Sequence, residues 1–373
     1  MRVLMISKAL VAGTSQRKLE ELAKCPDVQL TLVTPPYWQH DNGTKQILEK
    51  LYITGYRMIV TPMSCNGNYH LHYYPKLRRI MQKVQPEIVH IDEEPYNLAT
   101  FQAMRLAHHH KARTLFFTWQ NLYRNYPPPF RQMELYNYKH TDAALAGNQE
   151  AVEVLRRKGY HKATYVIPQF GFDMEIYKRS ALRPPRIPGT PFTLGFLGRL
   201  VETKGLITMV EALTSLPDYC QAIFVGDGPM KSVLEEEAAR LGVSDRVIIR
   251  PGVPTYEAPQ VLAAFDVYVL PSRTFPNWKE QFGRTLAEAM ACETPVIGSD
   301  SGEIPHVIDD AGLVFEEGNV QELVTCVEKL LHDPVLYASL ASKGRQRVLE
   351  NYTQEQIAKQ TYQVYQEMLG YNV

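Results

Sequence analysis

The sequence predicts an α/β protein made of two units, each built on a parallel sheet. Three observations carry that expectation. Short apolar runs alternate with helical patterns from end to end, as βα repeats require. The series is interrupted once, at RPPRIPGTP (183–191), where four prolines and a glycine mark a linker. The chain has 373 residues, more than one ordinary core accommodates.

Taken in order, RVLMIS, VQLTLVTP, EIVHID, RTLFFTW, AALAG and TYVIP read as strands of the first half. Helices are expected at 14–24, 74–84, 95–110 and 148–158. The second half opens at FTLGFLGRL and continues through CQAIFVGDGP, RVIIRPGV, VYVLPS, TPVIGSD and AGLVFEEGN, with helices between. The Tyr- and Gln-rich NYTQEQIAKQTYQVYQEMLG closes the chain as a helical pattern. The expected units are therefore 1–182 and 192–352, joined by a linker at 183–191.

Composition narrows the class. Apolar residues make up 45% and charged residues 21%, the balance of a globular protein in water. No run of eighteen apolar residues occurs, and MRVLMISKAL reads as a strand without a signal-peptide cleavage pattern. Five scattered cysteines without CxxC pairing argue against a disulfide framework or a zinc site and for a reducing compartment, by default the cytoplasm. A formal net charge of zero conceals an asymmetry: residues 1–180 hold 24 Lys+Arg against 15 Asp+Glu, and the remainder holds 16 against 25. A basic first half suits an acidic second half, an anionic acceptor or a membrane surface. Nucleic acid is not an expected partner.

The densest chemistry lies at EQFGRTLAE. Glu280 and Glu288 are eight apart, and Gly283 stands just before a helical stretch. A glycine there lets a ligand approach the backbone, and the N–H groups of the following first turn form an anion site. Phosphates on those amides, with the carboxylates on hydroxyl-bearing groups, would suit a nucleotide diphosphate. In GFLGRLVETKG, Gly198 turns the chain after a strand, and Arg199 and Lys204 follow, two cations able to converge on one diphosphate. VGDGP places Gly226 in a second such turn, but Lys231 occupies the third glycine position of a dinucleotide fingerprint, which disfavours a nicotinamide enzyme. No Asp-x-Asp occurs, so the usual metal bridge to a nucleotide sugar is missing from the sequence.

These motifs, in this order, resemble the family 4 glycosyltransferases of the GT-B fold. The likeness is specific over roughly 190–318: GRLVETKG, VGDGP, FDVYVLPS, EQFGRTLAEAMACETPVIGSDSGEIP and AGLVFEEGN. It implies two Rossmann-like domains facing each other across a cleft, the first for the acceptor and the second for the nucleotide sugar, with the C-terminal helix (353–373) packing back on the first. It implies that Glu288 holds the ribose, Glu280 holds the sugar hydroxyls, and Arg199 and Lys204 contact the diphosphate. Amides of Phe282, Gly283 and Arg284 would line the sugar-phosphate pocket, with Thr285, Gly198 and Gly226 beside them. The family transfers sugars with retention and without a metal, so neither cofactor nor metal is expected.

The first half departs from the pattern. A Gly-Gly turn usual after the first strand is here Ala12-Gly13-Thr14, which leaves Gly13 as the candidate for phosphate approach. Where relatives carry a histidine, this chain reads FFTWQNLYRNYPPPFR; Trp119 offers a stacking face and Asn121 a hydrogen-bond partner for an acceptor. HIDEEP ends a strand with Asp92, Glu93 and Glu94, three carboxylates that must be solvated or bound to cations. Asp92 and Glu93 are candidates for acceptor binding, and Glu94 for accepting the acceptor's proton. His108-His109-His110 fits a helix C-terminus better than a metal site. Tyr73, Tyr74, Lys76, Arg78, Arg79 and Lys83 would form a basic, aromatic-flanked helix suited to a membrane surface.

The expected activity is transfer of a hexose, glucose by family habit, from a UDP-sugar to a saccharide or lipid-linked saccharide. The setting would be cell-surface polysaccharide or glycolipid assembly on the cytoplasmic side, with peripheral contact to the inner face of the plasma membrane. The alternatives are a non-catalytic nucleotide-sugar-binding subunit and a nucleotide-sugar epimerase of the same fold.

Overall fold

The structure, a computed structural model, describes residues 1–40, 43–177 and 190–371. Except for Thr190 and Pro191, the expected linker lies outside the described residues. The chain divides into two compact units, one of Met1–Gly171 with Gln354–Val373 and one of Phe172–Thr353.

The first unit contains β1 (Arg2–Ile6), α1 (Arg17–Ala23), β2 (Gln29–Thr34), β3 (Tyr37–Gln39), β4 (Lys45–Ile47), β5 (Arg57–Val60) and α2 (Leu77–Val84). Then follow β6 (Ile88–Ile91), α3 (Leu98–His109), β7 (Arg113–Thr118), α4 (Phe130–His140), β8 (Ala143–Ala146), α5 (Gln149–Arg157) and β9 (Ala163–Val166). Seven strands form one sheet in the order β5-β2-β1-β6-β7-β8-β9, with every pairing parallel. The central strands β1, β6 and β8 are almost wholly buried, as befits parallel strands covered on both faces. Alternation along β1 separates the two cores. Leu4 and Ile6 join α2 and α3 through Leu77, Met81, Ala103 and Met104. Val3 and Met5 join Leu19 and Leu22 of α1 and Ile357, Val364 and Tyr365 of the last helix. Asn97 and Asn148 cap α3 and α5, accepting from the Thr100 and Ala151 N–H groups at 3.0 and 2.8 Å.

Three elements here escape the sequence pattern. The β3–β4 hairpin and the edge strand β5 are short and half-exposed. Helix α4 follows three prolines and turns polar groups inward: Glu134 and Asn137 are fully buried. Lys158 Nζ and Arg131 pair with Glu134 at 2.6 Å each, and Asn137 donates to the Pro95 carbonyl at 2.7 Å. Helix α4 is therefore helical without an apolar stripe.

The second unit runs β10 (Phe192–Leu197), α6 (Ile207–Ala212), β11 (Cys220–Val225), α7 (Met230–Arg240), β12 (Val247–Arg250), α8 (Ala258–Ala264) and β13 (Val267–Leu270). It continues with α9 (Arg284–Ala291), β14 (Val296–Ser299), α10 (Ile304–Ile308), β15 (Leu313–Phe315), α11 (Val320–His332) and α12 (Pro334–Asn351). Its six parallel strands are ordered β12-β11-β10-β13-β14-β15. The final helix, α13 (Gln354–Leu369), belongs to the first unit. There Tyr365 OH and His90 Nδ1 share a hydrogen bond of 2.6 Å.

The first unit ends earlier in the chain than the proline-rich segment suggests. Phe172 donates its N–H to the Tyr352 carbonyl at 2.8 Å, and Tyr177 donates its hydroxyl to Glu288. These contacts tie 172–177 to the second unit. Among the described residues no helix is long and apolar enough to cross a membrane.

Candidate functional site

In each sheet the strand order reverses direction at one place, between β1 and β6 in the first unit and between β10 and β13 in the second. Ligands of open parallel sheets bind outside the carboxyl ends of the strands at such points.

In the second unit a pocket of about 320 Å³ occupies this position. Leu197, Gly198 and Arg199 from the end of β10, Tyr268 and Leu270 from β13, and Gly283, Arg284 and Thr285 at the start of α9 form its wall, with Thr203, Lys204 and Trp278 alongside. Gly283 has φ +75° and precedes α9 without any side-chain cap, so the helix presents its first turn to the pocket. The aligned peptide dipoles, Arg199, Lys204 and Arg284 make this wall suited to an anion.

The two expected carboxylates stand directly behind that wall. Glu280, 9% exposed, receives Lys204 Nζ at 2.5 Å and the Ser272 hydroxyl at 3.0 Å, both on Oε2. Glu288, 6% exposed, receives Arg284 Nε at 3.0 Å and the Tyr177 hydroxyl at 2.8 Å, both on Oε1. Each carboxylate is thus held by a cation that itself lines the pocket. Glu303 fixes the Glu280 backbone by donating its N–H to the Glu280 carbonyl at 3.2 Å.

Two residues of this site were not singled out in the sequence. Tyr177 lies 111 residues from Glu288. Burial raises its phenol well above the usual range, and the Glu288 carboxylate adds to this, so the hydroxyl stays a donor. Lys204 Nζ, which pairs with Glu280, also lies over the Trp278 indole, 5.2 Å from the ring centroid. The motif signal available for Trp278 was its place two residues before Glu280.

Other expected positions do different work. Gly226 is a packing residue: a Cβ there would lie 1.8 Å from the Gly198 carbonyl oxygen, so the glycine lets two strand ends touch, and it does not line the pocket. The Phe282 side chain is buried against Phe172 and Tyr352. In the first unit, the Gly13 N–H already donates to the Glu49 carboxylate at 2.8 Å, and Leu51 fills the adjoining space. An anionic group of the protein holds the place expected for phosphate.

The carboxylates at the first unit's reversal point are also mostly committed. Asp92, 2% exposed, accepts from Ser7 Oγ at 2.7 Å and Gln169 Nε2 at 3.0 Å and faces Lys18 at 3.8 Å. Glu93, equally buried, accepts the Lys8 N–H at 3.0 Å, pairs with Lys8 Nζ and faces His72 at 3.4 Å. Burial would raise its pKa, but Lys8 and His72 outweigh that and hold it at about 2. Both residues are internal ion-pair partners rather than surface groups open to an acceptor. Trp119 is a packing aromatic: Gly147 lies against its ring, Phe117 and Phe170 flank it, and Nε1 donates to Gln169 at 3.1 Å. Asn121, 5% exposed, donates to Glu150 at 3.2 Å. Tyr74, expected on the outer face of a basic helix, is fully buried.

Glu94 differs from its neighbours. It is half-buried and accepts the Thr118 hydroxyl at 2.6 Å and the Trp119 N–H at 2.8 Å. Close packing by protein atoms raises its pKa to about 7 despite those two bonds and Lys8. A carboxyl that titrates near neutrality is chemically fit to take up or release a proton.

Comparison with solved structures defines the fold class. Sucrose-phosphate synthase from Thermosynechococcus elongatus matches over 100% of both chains with TM-score 0.68 and 18% identity. Anabaena Alr3699/HepE in complex with UDP matches over 98% of this chain and 100% of its own, with TM-score 0.73 and 20% identity. The fold is GT-B, two Rossmann-like α/β units in one chain. Residues 178–347 match the model of the family described as Glycosyl transferases group 1, so the second unit carries that family's domain. Among curated proteins, a GDP-mannose-dependent alpha-(1-6)-phosphatidylinositol monomannoside mannosyltransferase of Mycolicibacterium smegmatis is 36% identical over 164 residues, covering 42% of this chain and 43% of its own. A 2-deoxystreptamine glucosyltransferase of Streptomyces kanamyceticus is 29% identical over 182 residues, covering 48% and 46%. The chain spans about half the length of these curated relatives.

Proposed function

We propose that this protein is a retaining glycosyltransferase that moves a hexose from a nucleotide-diphosphate sugar to a hydroxyl of a saccharide or lipid-linked saccharide. The observation that carries this reading is the pocket at the β10–β13 reversal, where Arg199, Lys204 and the uncapped start of α9 converge. The diphosphate lies on those groups, Glu288 takes the ribose hydroxyls, and Glu280 takes the sugar hydroxyls. As the anomeric bond breaks, charge grows on the β-phosphate, where Arg199, Lys204 and the helix terminus stabilise it. These positive groups take the part a divalent metal plays elsewhere, so the transfer needs neither metal nor cofactor.

The acceptor belongs to the first unit, and Glu94 is its candidate proton acceptor, since burial raises that carboxyl's pKa to about 7. The leaving phosphate is the other base available on the same face of the sugar. The donor is read as UDP-glucose: one fold neighbour carries UDP, and a glucosyltransferase stands among the relatives. GDP-mannose is the competing donor, used by another relative. Five cysteines without disulfides suit work in the cytoplasm.

The test is nucleotide release from purified protein with a panel of UDP-, GDP- and ADP-sugars in the presence of EDTA. Release from one sugar, lost in Glu280→Ala, supports donor and site together. Absence of both release and nucleotide binding overturns the reading and leaves the non-catalytic alternative. Epimerised sugar nucleotide without glycoside would indicate an epimerase.

A further inference from the structure

Four aromatic rings meet at the carboxyl end of the first unit's sheet, and none of them belongs to either of its cores. His70 lies in the connection from β5 to α2, Tyr96 in that from β6 to α3, Tyr126 in that from β7 to α4, and Phe130 opens α4. The strand order puts β5 on one side of the β1–β6 reversal and β7 on the other, so these connections arrive from both flanks. The Leu98 N–H donates to the His70 carbonyl at 2.8 Å and pins the long β5–α2 connection to the start of α3. The His70 ring centre lies 5.4 Å from that of Tyr96, 5.7 Å from Tyr126 and 4.9 Å from Phe130, and the two tyrosine rings are 4.3 Å apart. All four residues are half-buried, so the cluster keeps surface open to solvent.

The cluster is polar at its edges yet carries no charge of its own. Burial raises both phenols and the Glu94 carboxylate adds to this, so they stay un-ionised. Burial, with His72 second, lowers the His70 pKa and keeps the imidazole neutral. The influence of Glu94 on both phenols also places that carboxylate beside the rings. Its neighbours Asp92, Glu93, Trp119 and Asn121 are paired within the unit. A sugar ring has a face of C–H groups and a rim of hydroxyls, and aromatic faces with phenol and imidazole edges match both parts. An anionic acceptor would instead lean on Arg124, an exposed cation near the two phenols.

We propose that Tyr96, Tyr126, His70 and Phe130 form a platform for an uncharged pyranose ring of the acceptor, which they position beside Glu94. The inference rests on the glycosyltransferase reading and adds to it the residues that select the acceptor. Selection is by ring face, where the basic composition of the first half would suggest selection by charge.

Saturation-transfer NMR on the full chain tests this, with methyl β-D-glucopyranoside, methyl β-D-galactopyranoside and methyl β-D-glucuronide as probes, in the presence and absence of UDP. Saturation is expected on the ring C–H protons of the uncharged glycosides. Tyr96→Ala/Tyr126→Ala should weaken their binding by about tenfold, as loss of two ring contacts implies. Tyr96→Phe/Tyr126→Phe should keep most of it, and so should Tyr123→Ala, which removes an exposed tyrosine of the same connection. Circular dichroism checks that the variants fold, and calorimetry with UDP, GDP and ADP should give one nucleotide affinity for all of them. No saturation of either uncharged glycoside overturns the proposal, as does undiminished binding in the double alanine variant or equal loss in Tyr123→Ala. Binding of the glucuronide alone, lost in Arg124→Gln, would also overturn it and assign the site to an anionic acceptor. Nucleotide binding without glycoside binding overturns the platform and leaves the donor reading intact. Glycoside binding that depends on the two tyrosines, without binding of any nucleotide, supports the platform and overturns the donor reading.

Discussion

Lys204 Nζ and Glu280 Oε2, 76 residues apart in sequence, form an ion pair at the edge of the pocket in the second unit. The cation expected on a diphosphate and the carboxylate expected on a sugar hold each other in place, and the same ammonium lies over the Trp278 indole. Such a pair is preorganised: neither side chain must be ordered when a donor arrives.

Replacing either partner should be costly to turnover. Lys204→Ala and Glu280→Ala are each expected to slow nucleotide release about a hundredfold or more, while thermal melts show both variants folded. Near-normal rates in both would rule out the site assigned here.

Trp278→Ala removes the face that confines Lys204 without touching the carboxylate. Nucleotide affinity is expected to fall by roughly threefold to tenfold, the range of a partly exposed cation–π contact, and Trp278→Phe should recover most of it. Intrinsic fluorescence gives a second readout, because the change on adding UDP should be absent from Trp278→Phe if that indole is the reporter.

Tyr177→Phe deletes one hydroxyl and one bond to Glu288. A hydrogen bond to a charged group is worth about 1.5–3 kcal/mol, so nucleotide binding measured by calorimetry should weaken by about tenfold or more. An unchanged affinity would mean that Arg284 alone orients Glu288.

Two groups in the first unit give opposing pH dependences. Burial lowers the His90 pKa to about 4, so the fold keeps it neutral against Tyr365. Its contribution is present above its ordinary value of 6.5 and is lost as pH falls toward 4. Glu94 is raised from 4.5 to about 7, so its contribution is present below 4.5 and is lost as pH rises through 7. Melting temperature followed across that window should drop more steeply toward acid in Glu94→Gln and less steeply in His90→Gln. Parallel curves for all three proteins would refute both assignments. If Glu94 accepts the acceptor's proton, turnover should also rise with pH through about 7, and Glu94→Gln should lose that rise.

The strand series was legible because parallel strands covered on both faces are continuous apolar runs, and β1, β6 and β13 read as such directly. Helix α4 was not legible, because its buried face carries Glu134 and Asn137 in place of leucines. At the site, Gly283 and the cations Arg199 and Lys204 were readable from their positions at strand-to-helix turns. The roles of Asp92, Glu93 and Trp119 were not, because a side chain at a strand end looks the same whether it faces a ligand or a buried lysine. Only packing distinguishes the two.

Local order along the chain thus determined what is written in periods and turns: two α/β units, a helix start without a side-chain cap at Gly283, and a basic first half. Tertiary structure alone decided which charges meet. It joined Glu280 to Lys204, joined Glu288 to Tyr177 across 111 residues, turned Asp92 and Glu93 inward, and left Glu94 to titrate near neutrality. The reason is physical: periodicity depends on neighbours in sequence, whereas the energy of a charge depends on the neighbours and solvent around it in space.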